Sequence, residues 1–157
     1  MNQIVFYLNL PKYLSDWLKF HLGDPVVFPA CSPQNSVIRT FIRQPPEDYV
    51  PELPTDFNTA VVIPGSAAKP PERFFYITQK GKEAVAETCK DLFLRALWND
   101  ITPLLEAPVG LNALINAWCE SNGIDLDRAE TVRQCYYRIR REFSQKGINL
   151  KSFSRKK

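Results

Sequence analysis

The stretch AETVRQCYYRIRREF, residues 129–143, decides the predicted fold of the C-terminal part of this 157-residue chain. Its apolar side chains recur every three or four residues, the spacing that places them on one face of an α-helix. That face comprises Ala129, Val132, Tyr136, Ile139 and Phe143, with Cys135 beside it. We predict a helix from about Arg128 to Lys146, started by a capping box of Asp127 and Glu130 and ended by Gly147.

The opposite face of this helix is basic and polar. It holds Gln134, Tyr137, Arg138, Arg141 and Gln145, with Arg133 and Arg140 on one flank. Residues 128–157 contain ten Lys or Arg and two acids, a net charge of +8, whereas residues 1–127 carry a net charge of −5. Such asymmetry indicates an end of the chain that binds a polyanion.

The side chains of this basic face suit duplex DNA. Arginine can bond a phosphate or the guanine edge twice, glutamine can pair with the adenine edge, and an α-helix fits the major groove. A flexible basic tail after Gly147 would add phosphate contacts. The predicted function is therefore non-enzymatic DNA binding, and the predicted nucleic-acid-binding residues are Arg133, Gln134, Tyr137, Arg138, Arg140, Arg141, Lys146, Lys151, Arg155, Lys156 and Lys157.

Two alternative roles for this face stay open. An arginine-rich helix face can be merely a solvated surface, but such faces usually place an acid four residues from each base. Here only Glu142 is acidic after Glu130, so most of the positive charge is uncompensated. The second alternative is an interaction adaptor whose basic face meets an acidic protein.

The first 107 residues predict a Pro-rich α+β body with a small mixed β-sheet and a flanking helix, Pro11 to Leu22, stopped by Gly23. Ten of the thirteen prolines lie in residues 24–71, which limits regular structure there to short pieces. The predicted strands are Gln3–Leu8, Val26–Phe28, Ser36–Arg43, Ala60–Ile63 and Arg73–Thr78. The acidic, Pro-rich segment Pro45–Pro54 is predicted to be an exposed loop that shields a strand edge or meets a protein partner.

Three helices are predicted after this Pro-rich region. Periodic apolar residues from Lys82 to about Asp100 indicate a long helix that ends the body, and Leu111 to Asn122 forms a second helix closed by Gly123. The basic helix is the third. Because Pro108 and Gly110 mark a joint, we predict two domains, residues 1–107 and 108–157.

Enzymatic and membrane functions find little support in the sequence. It has no Gly-rich phosphate loop, no nucleophile elbow and no HExxH motif, and the single histidine, His21, borders an apolar helix stripe. The four cysteines are too dispersed for a zinc site, so we expect no metal or cofactor and small core residues at Cys31, Cys89, Cys119 and Cys135. With neither a signal peptide nor a membrane span, we expect a reduced, cytoplasmic protein.

The second and third helices, joined by a turn that contains Gly123, resemble a helix-turn-helix. This resemblance implies that the last helix is the recognition helix, with Arg133, Gln134, Tyr137, Arg138 and Arg141 towards DNA. Three segments also resemble uncharacterised small proteins of Bacteroidetes genomes and their mobile elements, which implies a regulatory role in such bacterial elements. These segments are Tyr13–Leu18, Ala96–Asp100 and Leu114–Ile124.

Overall fold

The computed structural model describes residues 3–145, which contain five α-helices and two small antiparallel sheets, a mixture compatible with the α+β class. The helices are α1 (Lys12–Leu22), α2 (Pro33–Phe41), α3 (Gln79–Ile101), α4 (Leu111–Ser121) and α5 (Ala129–Gln145). The strands are β1 (Val5–Leu8), β2 (Ile42–Arg43), β3 (Thr59–Val62) and β4 (Tyr76–Ile77).

The chain forms two compact units, one ending at Lys90 and the other beginning at Asp91, so that α3 contributes to both. The domain boundary predicted between residues 107 and 108 lies inside the second unit. That boundary stays a prediction. The helices predicted at Pro11–Leu22, Lys82–Asp100 and Leu111–Asn122 are confirmed as α1, α3 and α4, with small shifts at their ends.

The first unit contains two separate two-stranded sheets rather than the single mixed sheet that the sequence predicted. β1 pairs with β3 in antiparallel register from Val5 opposite Val62 to Leu8 opposite Thr59, and β2 pairs with β4 over two residues. The predicted strand Val26–Phe28 is reduced to one parallel bridge between Val26 and Val61. The predicted strand Arg73–Thr78 is reduced to β4.

The strand predicted at Ser36–Arg43 is wrong, because most of this segment is helix α2. The hydroxyl of Ser32 caps the helix by accepting a hydrogen bond from the Asn35 amide at 3.2 Å, and Pro33 occupies the first turn. A serine followed by proline is a strong helix start, and it outweighs the β-branched residues that follow. The end of α2 lies close to the backbone of α3: a Cβ at Gly81 would lie 2.7 Å from the Cβ of Phe41.

The acidic, Pro-rich segment is held at two points. The Tyr49 ring meets the rings of Phe75 and Tyr76 edge-on, and Glu52 forms an ion pair with Lys82 at the start of α3. Between these anchors Val50 is exposed. The predicted exposed loop therefore exists, and it is anchored to the β4–α3 region.

Three of the four cysteines are buried, but Cys31 is exposed, so the prediction that all four are core residues is wrong at Cys31. Its place among Pro29, Ala30 and Pro33 puts it in a loop ahead of α2. Burial raises the pKa of the Cys89 thiol to about 12. Burial also raises the pKa of the Cys119 thiol to about 11.

We expect iodoacetamide to label the folded protein first at Cys31. A thiol stays protonated below its pKa, so at pH 8 about one Cys119 side chain in a thousand would be the reactive thiolate even if the reagent reached it. Mass spectrometry of tryptic peptides after timed labelling measures the rate at each cysteine, and a urea-unfolded sample serves as the control in which all four react. Equal native rates at Cys31, Cys89 and Cys119 would contradict the burial pattern.

Candidate nucleic-acid interface

Tyr136 fixes the inner face of α5. Its side chain is fully buried, its hydroxyl shares a 2.9 Å hydrogen bond with the hydroxyl of Thr102, and its ring stacks on Trp98 with 5.3 Å between centroids. Burial raises the pKa of Tyr136, against smaller opposing effects of Thr102 and Arg140, so the phenol stays neutral at physiological pH. These contacts anchor α5 to the end of α3 and the turn that follows it.

The predicted apolar stripe of α5 is confirmed. Ala129, Val132, Cys135, Tyr136 and Ile139 are buried, and Phe143 is half-buried. Because a helix that buries one face must present the other, the residues opposite this stripe point away from the core of the second unit.

Helix α4 is fixed by Trp118. Its indole nitrogen donates a 2.9 Å hydrogen bond to the carboxylate of Asp100, and its ring lies edge-on to Phe93 at 5.6 Å. The chain leaves α4 through Gly123, whose φ of 71° lies in the left-handed region that glycine adopts without strain. Ile124, directly after the glycine, is buried.

The capping box predicted at Asp127 and Glu130 is wrong. A short 3₁₀ turn, Leu126–Arg128, precedes α5, and Asp125 caps that turn by accepting a 3.1 Å hydrogen bond from the Asp127 amide. Two aspartates two residues apart offer alternative caps, and burial of Ile124 places the first of them at the turn. α5 begins at Ala129, one residue after the predicted start.

The C-terminal half of the predicted basic face is exposed as expected. We call Tyr137, Arg138, Arg140 and Arg141 the arginine face of α5; all four are exposed, Tyr137 with 39% of its surface. Among residues 3–145, no carboxylate forms an ion pair with any of its three arginines. The arginine face therefore offers three guanidinium groups to an external anion.

The N-terminal half of the predicted face differs, because Glu130 engages two of its residues. One carboxylate oxygen of Glu130 forms an ion pair with Arg133, and the other accepts a 2.9 Å hydrogen bond from the Gln134 amide. The spacings of three and four residues could have revealed this network in the sequence. We call Glu130, Arg133 and Gln134 the carboxylate network; its formal charge is zero.

The remaining predicted contact residues lie outside the described part of the chain. They are Lys146, Lys151, Arg155, Lys156 and Lys157. The structure thus brings together Arg138, Arg140 and Arg141 with Tyr137 and sets Arg133 and Gln134 apart in a neutral network.

A groove of about 340 Å³ lies beside the end of α5, within the second unit. Trp98 and Phe143 are among its apolar lining residues, and Arg95 and Glu142 are among its charged ones. Asp91 and Glu142 accompany Arg95 in the lining, so the groove has no net positive charge that would attract an anion. Within residues 3–145, no three His, Cys, Asp or Glu side chains are grouped so that they could hold a metal ion.

Among the described residues, no helix has the length and apolar composition needed to cross a bilayer. No protein-family model, curated protein or solved structure matches the chain.

Proposed function

We propose that this protein binds duplex DNA without acting on it chemically, and that α5 is the element that contacts the duplex. The observation that carries the proposal is the arginine face: three exposed guanidinium groups, free of ion pairs with the described carboxylates, lie on a helix whose opposite side is anchored by Tyr136. Exposed arginines on a rigid helix can reach phosphates without first breaking an internal salt bridge. The basic residues beyond Gln145 would add to the same electrostatic attraction.

We also propose that α4 and α5 act as a helix-turn-helix. The core positions expected of such a motif are buried in this chain, namely Ile115, Trp118, Ile124, Ala129 and Val132. One departure is the connection, residues 122–128, which contains a 3₁₀ turn and exceeds the usual three or four residues. A second is Asn122, a polar residue where an apolar one is expected, whose amide donates to the carbonyl of Trp118 at 2.7 Å.

The test is fluorescence anisotropy of a labelled random-sequence duplex titrated with the full-length protein at several salt concentrations. If about five basic groups displace counterions, the slope of log affinity against log salt is roughly −4.5. Binding at low salt with a slope close to zero would point to a different mode of recognition. The absence of any binding at low salt would reject the proposed function and favour the adaptor with an acidic protein partner.

A further inference from the structure

We infer that the carboxylate network of α5 reads bases, and that Glu130 determines which sequence is bound rather than how tightly DNA is held. This inference rests on the proposed function and assigns different tasks to the two halves of the same helix. The C-terminal half would hold phosphates, and the N-terminal half would contact the edge of a base pair in the major groove.

The acidic residues lie before and at the start of α5, and most of its positive charge lies in its C-terminal half. Asp125, Asp127 and Glu130 are all exposed near the helix start, together with exposed Arg128. Residues 125–134 hold three acids and two arginines, a net charge of −1, whereas Arg138, Arg140 and Arg141 follow two turns after Glu130. A carboxylate beside a phosphate is repelled, and little screening occurs over a few ångströms at physiological salt. The start of α5 is therefore unsuited to lie against the phosphate backbone, although a helix N-terminus would otherwise attract an anion.

The same carboxylate is suited to the floor of the major groove. Glutamate accepts hydrogen bonds from the N4 amino group of cytosine, and recognition helices place their N-terminal residues near base edges. The Glu130 side chain is 60% exposed even with both of its partners in place. A carboxylate oxygen has more than one acceptor position, so Glu130 can bond Gln134, Arg133 and a base at the same time.

The two partners of Glu130 hold its carboxylate in one position. Arg133 is only 21% exposed and pairs with Glu130, and Gln134 donates to it at 2.9 Å. Both restrict the rotamers of the glutamate, so less conformational entropy is lost when a base is bound. The unused donors of Arg133 and the amide oxygen of Gln134 lie next to the carboxylate and can contact neighbouring base edges.

The experiment is selection of binding sequences from a randomised duplex library by the full-length protein, followed by affinity measurements on the enriched duplex. We expect one position to be restricted to a C·G pair. The Glu130→Ala variant should lose about tenfold discrimination at that position, while its affinity for random duplex rises a few-fold because a repelling charge is removed. The control is Glu142→Ala, which removes an exposed carboxylate from the same helix and should raise affinity for all sequences alike.

Four outcomes separate this inference from the proposed function. If the protein binds random duplex but enriches no sequence, or if Glu130→Ala keeps the same base preference, the inference is overturned and duplex binding stands. If Glu142→Ala also removes the preference at that position, the effect is one of net charge and the inference is again overturned. If the protein binds no duplex at low salt, the proposed function is rejected, and the inference that rests on it is rejected as well. Far-UV circular dichroism of each variant verifies that α5 is retained.

Discussion

Reversing the charge of Arg138 and Arg141 together is expected to reduce affinity for random duplex by about 50- to 100-fold at 0.1 M salt. Each phosphate contact contributes roughly 0.9 logarithmic units at that concentration through counterion release, and two contacts are lost. The slope of log affinity against log salt should become less negative by about 1.8. Both side chains are exposed, so the Arg138→Glu and Arg141→Glu changes should leave the fold intact.

A matched control changes the same total charge elsewhere. Arg73 and Lys80 are exposed in the first unit, and Arg73→Glu with Lys80→Glu also alters the net charge by four units. If the loss comes from local contacts on α5, the control should lose much less affinity and keep the original salt slope. Equal losses in the two double variants would mean that affinity follows net charge alone, and an unchanged affinity in the α5 variant would remove α5 from the interface.

The sequence predicted those features of the site that depend on the periodicity of α5 alone. Ala129, Val132, Tyr136 and Ile139 recur with the helical period, and burial of this stripe forces Arg138 and Arg141 to the outside. No knowledge of the rest of the chain is needed for that step. The hydrogen bond between Tyr136 and Thr102 joins residues 34 positions apart, and the periodicity of α5 contains no information about it.

The errors arose where local signals competed. Val37 and Ile38 are typical strand residues, but the Ser32 cap and Pro33 start a helix that buries Ile38, and only Ile42 and Arg43 of this segment form a strand. At α5, Asp125 and Asp127 are both suitable caps, and the buried Ile124 selects the first. The positions of Arg133 and Gln134 on the helix surface do not by themselves reveal that both bond Glu130, about one turn earlier.

Truncation of Phe93 to alanine is expected to lower the free energy of unfolding by about 3–5 kcal/mol, a large fraction of the stability of a small protein. Phe93 is fully buried in α3 and its ring lies against Trp118 of α4. The variant leaves a cavity where the two helices meet and removes an aromatic pair. Urea unfolding followed by circular dichroism measures the change, and the midpoint should fall without a matching change in slope.

Phe20→Ala is the matched control, since it makes the same substitution at a side chain that is 58% exposed. It should cost less than about 1 kcal/mol, because little apolar surface is returned to water. A similar loss in both variants would contradict the assigned core.

Phe93→Leu keeps most of the buried volume and should recover a large part of the stability. Since Trp118 also donates a hydrogen bond to Asp100, the Phe93→Ala variant tests whether the packing of α4 supports the arginine face. At urea concentrations below the unfolding midpoint, the duplex affinity of Phe93→Ala should fall more than that of Phe93→Leu, although neither substitution changes a charge.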